Sequence, residues 1–101
     1  MSTGKNSQFL TADQFEQVAL RFRLLGEPMR LRIMQAVCVK PRAVGEIVTA
    51  VGATQANVSK HLALLAGAGI LARKKAGQRV YYSLKDQLAM KLCALVHKHL
   101  E

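Results

Sequence analysis

The stretch from Val44 to Leu71 constrains this chain more than any other. Val44, Ile47, Val48 and Val51 recur at helical spacing within Ala43–Val51, and Gly52 follows where helices commonly close. Thr54 then caps a second helix running to about Ala66. Its spacing puts Ala56, Leu62, Leu65 and Ala66 inward and Gln55, Asn57, Ser59, Lys60 and Ala63 outward. A short helix, a glycine-containing turn and a helix with polar residues near its start make a helix-turn-helix pattern. The residue types fit entry into a major groove about 12 Å wide, where the leading face must offer small or hydrogen-bonding side chains. Gln and Asn can pair with adenine through two bonds, and Ser and Thr reach bases or phosphates. The candidate contacts on this helix are Thr54, Gln55, Asn57, Ser59, Lys60 and His61.

A basic hairpin follows at once. Gly67 and Gly69 break the helix, and Ile70–Lys75 and Arg79–Leu84 are strand-like runs around Ala76-Gly77-Gln78. Arg73, Lys74, Lys75, Gln78 and Arg79 crowd into this segment, where cations can lie along a phosphate backbone. Such contacts supply affinity with little sequence information and weaken steeply with salt. A solvated hairpin is the plainer reading of any charge cluster. Here the chain carries 15 Lys and Arg against 6 Asp and Glu, a net charge of +9 and a pI near 10.2. Nucleic acid, an anionic membrane surface and an acidic protein could all attract it. The helix-turn-helix immediately before the hairpin favours double-stranded DNA.

The flanks complete one domain of 101 residues. Residues 1–10 read as a flexible N-terminal arm, and 11–101 as a winged helix-turn-helix DNA-binding and dimerisation domain. Thr11 with Gln14 fits a capping box, after which Phe15, Val18, Ala19, Phe22 and Leu25 recur until Gly26. Glu27-Pro28 opens a second helix containing Leu31, Met34, Ala36, Val37 and Cys38, stopped by Pro41. A last helix over about Asp86–Leu100 carries Leu88, Leu92, Leu95, Val96 and His99 on one stripe. Arg21, Arg23, Arg30 and Arg32 read as solvated faces, with Arg30 or Arg32 within reach of phosphate. Tyr81 and Tyr82 are at least half core by strand alternation.

The expected fold is mainly α with a small β-hairpin wing, in the order of four helices, two strands and one helix. An aliphatic surplus in so short a chain suggests that a second subunit covers part of it, so a dimer is expected. No Gly-rich phosphate loop, nucleophile elbow or paired-carboxylate constellation supports an enzyme. No cofactor is expected. Residues 1–8 lack an apolar signal core, no apolar run reaches the ~18 residues of a transmembrane helix, and Cys38 and Cys93 make no disulfide framework. The reading is a cytoplasmic protein without a membrane partner.

Ser59-Lys60-His61-Leu62-Ala63-Leu64-Leu65, Ala68-Gly69-Ile70-Leu71 and Gly77-Gln78-Arg79-Val80-Tyr81-Tyr82-Ser83-Leu84 resemble the ArsR/SmtB family of bacterial repressors. Leu25-Gly26-Glu27-Pro28-Met29-Arg30-Leu31-Arg32-Ile33 resembles that family's entry into its second helix. The resemblance implies a prokaryotic homodimer joined through its first and last helices. It also implies an operator bound without inducer and released when a small inducer binds, with the Thr54–Leu65 helix in the major groove and the Lys74–Arg79 wing on the flank.

The same resemblance bears on sensing, since members respond to metals, metalloids, sulfur species and oxidants. Thiolate-rich members carry Cys-x-Cys where this chain has Ala43-Val44-Gly45, so that site is absent. Of the zinc-type ligands, Asp86 and His99 match, but Leu88 stands where a His would be, and half a ligand set makes no tetrahedral site. His97 and His99 read first as residues placed favourably for the dipole at a helix C-terminus rather than as ligands. Sulfide- and oxidant-sensing members resemble this layout, with one Cys on each of the helices carrying Cys38 and Cys93, although Cys93 lies well before the helix end. A bridge needs Cα atoms within ~7 Å. Lys40 and Lys91 lie near the two thiols in sequence, and a cation favours thiolate. Both cysteines otherwise read as small buried hydrophobes. A metal- or metalloid-responsive repressor, a DNA binder with no sensing site and a protein-interaction module remain the alternatives.

Overall fold

The computed structural model describes residues 9–100. Most of the proposed N-terminal arm therefore lies outside the described residues, while Phe9 and Leu10 are exposed. The elements run α1 (Ala12–Leu25), α2 (Pro28–Val37), β1 (Arg42–Ala43), α3 (Val44–Val51), α4 (Gln55–Gly67), β2 (Leu71–Ala76), β3 (Arg79–Leu84) and α5 (Gln87–Leu100).

Local chemistry explains most helix ends. The Thr11 hydroxyl accepts from the Gln14 amide at 3.1 Å, and the Gln14 side chain accepts from the Thr11 amide at 2.9 Å, which forms the expected capping box. Glu27 accepts from the Arg30 amide at 3.0 Å with Pro28 in the first turn of α2. Gly52 closes α3 at φ 68°, a left-handed conformation that glycine adopts without steric cost. The Thr54 hydroxyl accepts from the Asn57 amide at 3.2 Å and starts α4.

α2 ends at Val37, so Cys38 is its C-cap rather than a residue of its last turn. Two arginines expected on solvated faces have structural partners instead. The Arg30 guanidinium donates to the Leu24 and Arg23 carbonyls at 2.8 and 3.1 Å, adding to the Gly26 amide that already caps Arg23 at the end of α1. Arg21 donates to Asp86 at 3.0 Å, an ion pair that ties α1 to the start of α5.

The sheet has a strand the sequence pattern does not reveal. β1 is two residues long and pairs antiparallel with β3, Arg42 opposite Tyr82 and Ala43 opposite Tyr81. The order is β1-β3-β2, with β2 and β3 forming the hairpin. Two residues are too few for alternation to register, which is why β1 escapes a periodicity argument. Ala76 pairs with Arg79, leaving Gly77 and Gln78 as a two-residue loop, and Gly77 supplies the positive φ of 64°.

The core joins Ile33, Met34 and Val37 of α2 with Ile47 and Val51 of α3 and Val58, Leu62 and Leu65 of α4. Ile70, Leu71 and Tyr82 close it from the hairpin side, while Tyr81 is half-buried. Among the described residues, α1 buries only Leu24 and α5 only Ala89. Phe15, Phe22, Leu95 and Val96 are 59, 62, 66 and 58% exposed within one protomer. The apolar stripes of the first and last helices therefore exist but are not covered by this chain's own core.

Candidate nucleic-acid interface

α4 is held by the face that carries Val58, Leu62 and Leu65, all buried at a spacing of three and four residues. That face agrees with the sequence expectation at Leu62 and Leu65 and departs from it in the first turn. Ala56 is exposed rather than inward, and Val58 takes its place. His61 falls on the same inward face and is 6% exposed, so it is corrected from a candidate DNA contact to a buried side chain. Its Nδ1 is buried without a hydrogen-bond partner among the described residues.

The remaining α4 candidates stay on the open side. Thr54, Gln55, Ser59 and Lys60 are exposed, and Asn57 is half-buried. The helix N-terminus beside them presents backbone N–H groups that favour a phosphate.

The hairpin holds its cations clear of the core. Arg73, Lys74, Lys75, Gln78 and Arg79 are all exposed. The Arg79 guanidinium lies 5.5 Å from the centre of the Tyr81 ring, a cation–π geometry that orients it. Sequence reasoning overlooks the caps formed by Glu27 and Glu46, although each precedes or follows its helix start at a three-residue spacing. Glu46 accepts from the Ala43 amide at 2.8 Å. Its carboxyl is held below the usual range first by that bond, then by the positive charge of Arg79, Arg42 and Lys40.

The sensing candidates are dispersed. Asp86 is engaged by Arg21 and also accepts from the Leu88 amide at 3.0 Å, so it serves the start of α5. Among the described residues, no group of three or more His, Cys, Asp and Glu is placed to hold a metal ion. His97 and His99 are exposed in the last turn of α5. Cys38 and Cys93 are free and half-buried. The Cys38 thiol donates to the Gln35 carbonyl at 3.2 Å. Cys93 lines two adjoining grooves of about 380 and 360 Å³, with Leu31 and His97 common to both and Cys38 in neither. Burial pushes the Cys93 thiol up, opposite to the thiolate-favouring effect expected from Lys91.

The profile of bacterial regulatory proteins of the arsR family matches residues 27–73, from the cap of α2 into β2. A transcriptional repressor SmtB homolog of Synechocystis is 32% identical over 94 residues, covering 93% of this chain and 71% of that protein. The chain belongs to the ArsR family. The HTH-type transcriptional regulator CmtR of Mycobacterium bovis is 36% identical to this ArsR-family chain over 89 residues, covering 86% of it and 75% of CmtR. The solution structure of the homodimeric winged helix-turn-helix DNA-binding domain of Mb0332 from Mycobacterium bovis superposes with a TM-score of 0.78. That comparison has 27% identity and covers 98% of this chain and 87% of the other. This ArsR-family member is thus a winged-helix, DNA-binding transcriptional regulator and not an enzyme. Among the described residues, no helix is long and apolar enough to cross a membrane.

Proposed function

We propose that this protein is an operator-specific repressor that binds double-stranded DNA as a homodimer joined through α1 and α5. One observation carries the reading. Gln55, Ser59 and Lys60 stand exposed on a helix rooted in the core, followed directly by a cationic hairpin. In this reading Thr54, Gln55, Asn57, Ser59 and Lys60 address base edges and nearby phosphates, and Arg73, Lys74, Lys75, Gln78 and Arg79 hold the flanking backbone. The uncovered apolar stripes of α1 and α5 support the dimer.

Selection from a random duplex pool, followed by fluorescence anisotropy, tests this reading. The expected outcome is a two-fold symmetric site whose halves lie about one helical turn, ~34–36 Å, apart. Enrichment of no sequence, with equal affinity for all duplexes, would replace a repressor with an architectural DNA binder.

For control of binding, the reading is a thiol response to sulfur species or oxidants that centres on Cys93 and includes Cys38. Its support is that Cys93 lies in the grooves between α5 and the first two helices, where a change of volume or polarity would act on the dimer face. Release of the selected duplex by polysulfide or diamide, lost in Cys93→Ser, is expected. Equal binding by reduced and treated protein would remove the thiols from the mechanism.

A further inference from the structure

Glu46 is an acidic residue on an otherwise cationic side of the molecule. It lines a groove of about 460 Å³ with Arg42, Gly45, Thr49, Ala50 and Arg79, between the outer face of α3 and the sheet. Its carboxylate cannot swing away freely, because one oxygen is bound to the Ala43 amide at 2.8 Å as part of the start of α3. Arg42 is fixed as well, since its Nε donates to the Ala36 carbonyl at 2.7 Å. Arg79 is oriented over Tyr81. Three anchored charged groups therefore share one open groove at the base of the wing.

We infer that Glu46 is a specificity-determining residue, whose anchored carboxylate offsets Arg42 and Arg79 and so lowers the affinity of the wing for DNA of any sequence. This inference rests on the DNA-binding reading above. Phosphate contacts supply essentially all of non-specific binding, and base contacts supply discrimination. A carboxylate fixed in the groove that it shares with Arg42 and the phosphate-seeking Arg79 lowers the first without touching the second. Arg79 then reaches phosphate against the pull of Glu46 fully only where base contacts on α4 hold the duplex in register. The raised acidity of the Glu46 carboxyl, caused in part by Arg79 and Arg42, reports the same attraction from the other side.

Glu46→Gln tests the inference because the amide oxygen can still accept from Ala43 while the charge is lost. Its affinity for a random-sequence duplex should rise about tenfold, the product of two protomers each releasing a surface-strength attraction. The slope of log affinity against log salt should steepen by about one unit per protomer. Affinity for a duplex selected from a random pool should rise less, so the specificity ratio falls. Glu16→Gln makes the same change in net charge on α1 and should leave random-duplex affinity unchanged. In the Arg79→Gln background the effect of Glu46→Gln should shrink.

The wild-type fold offers an independent readout. Arg79→Gln should weaken random-duplex binding less than Lys74→Gln, since Arg79 is already offset. A rise no larger than that of Glu16→Gln, an undiminished rise in the Arg79→Gln background, or a larger loss for Arg79→Gln than for Lys74→Gln would overturn the inference alone. A wild-type protein that binds neither duplex would overturn the DNA-binding reading with it.

Discussion

Leu95→Ala probes the part of the functional reading that the protomer leaves most open. Leu95 is 66% exposed on α5, so its removal takes little from the protomer's own core. Full burial of a leucine side chain contributes about 1.5–3 kcal/mol. Covering the exposed two-thirds would contribute about 1–2 kcal/mol, and about 1 kcal/mol remains once the β-carbon kept by alanine is allowed for. A two-fold interface contains the substitution twice, so dimerisation should weaken by about 2 kcal/mol, or roughly 30-fold in the dissociation constant. Sedimentation equilibrium across a concentration series measures this constant directly. Phe22→Ala, which removes a larger side chain that is 62% exposed on α1, should have a larger effect. Val39→Ala is the control, since Val39 is 89% exposed but lies beyond the end of α2 and belongs to neither α1 nor α5. Dissociation constants within about twofold of wild type for both Leu95→Ala and Phe22→Ala would refute the α1–α5 interface.

Three further outcomes follow from the same structure. Gln55→Ala or Lys60→Ala should cost the selected duplex about 1–3 kcal/mol if a base edge is lost, with little change on random duplex; equal losses on both would assign these side chains to phosphate. Val58→Ala should destabilise the fold by about 2 kcal/mol in a denaturant titration, because Val58 is 0% exposed at the centre of the core; a change below about 0.5 kcal/mol would contradict that placement. Glu27 and Glu46 have carboxyls lowered chiefly by the Arg30 and Ala43 amides, respectively, so the stability they contribute is complete above the unfolded carboxylate value of about 4.3 and is lost as pH falls through their folded values. Thermal melts should therefore fall in the acid range, with a shallower fall in Glu27→Gln, and an unchanged acid limb in that variant would remove Glu27 from the effect.

The legible parts of this fold are those written in short-range chemistry. Thr11 with Gln14, Pro28, Gly52, Thr54 and Gly77 each mark a boundary that the structure keeps. The inward residue in the first turn of α4 is harder to read. Ala56 and Val58 are both small and apolar and sit two residues apart, so composition does not decide which faces inward. Packing does, since Val58 aligns with Leu62 and Leu65 on one face, and His61 is carried inward with them. Long-range partners were not legible at all. Nothing in sequence spacing joins Arg21 to Asp86 across 65 residues, or directs Arg30 to the end of α1. Arg79 and the two DNA-facing segments could be named because their function depends on residue type and exposure. Any relation between Cys38 and Cys93 depends on helix packing that local pattern does not encode.

The distribution of the core explains why these two kinds of information separate. α2, α3, α4 and the hairpin bury one another and can orient the DNA-facing side chains within a single protomer. α1 and α5 bury one hydrophobic residue each among the described residues, and the ion pair between Arg21 and Asp86 joins them at one end. On the dimeric reading, the contacts that complete α1 and α5 are also the contacts that set the spacing between two recognition helices. Stability should then depend on protein concentration, as it does wherever association covers the remaining apolar surface. An effector in the grooves beside Cys93 need not approach α4. It would act by shifting α5 against α1 and α2, which changes half-site spacing while leaving each DNA-reading surface intact.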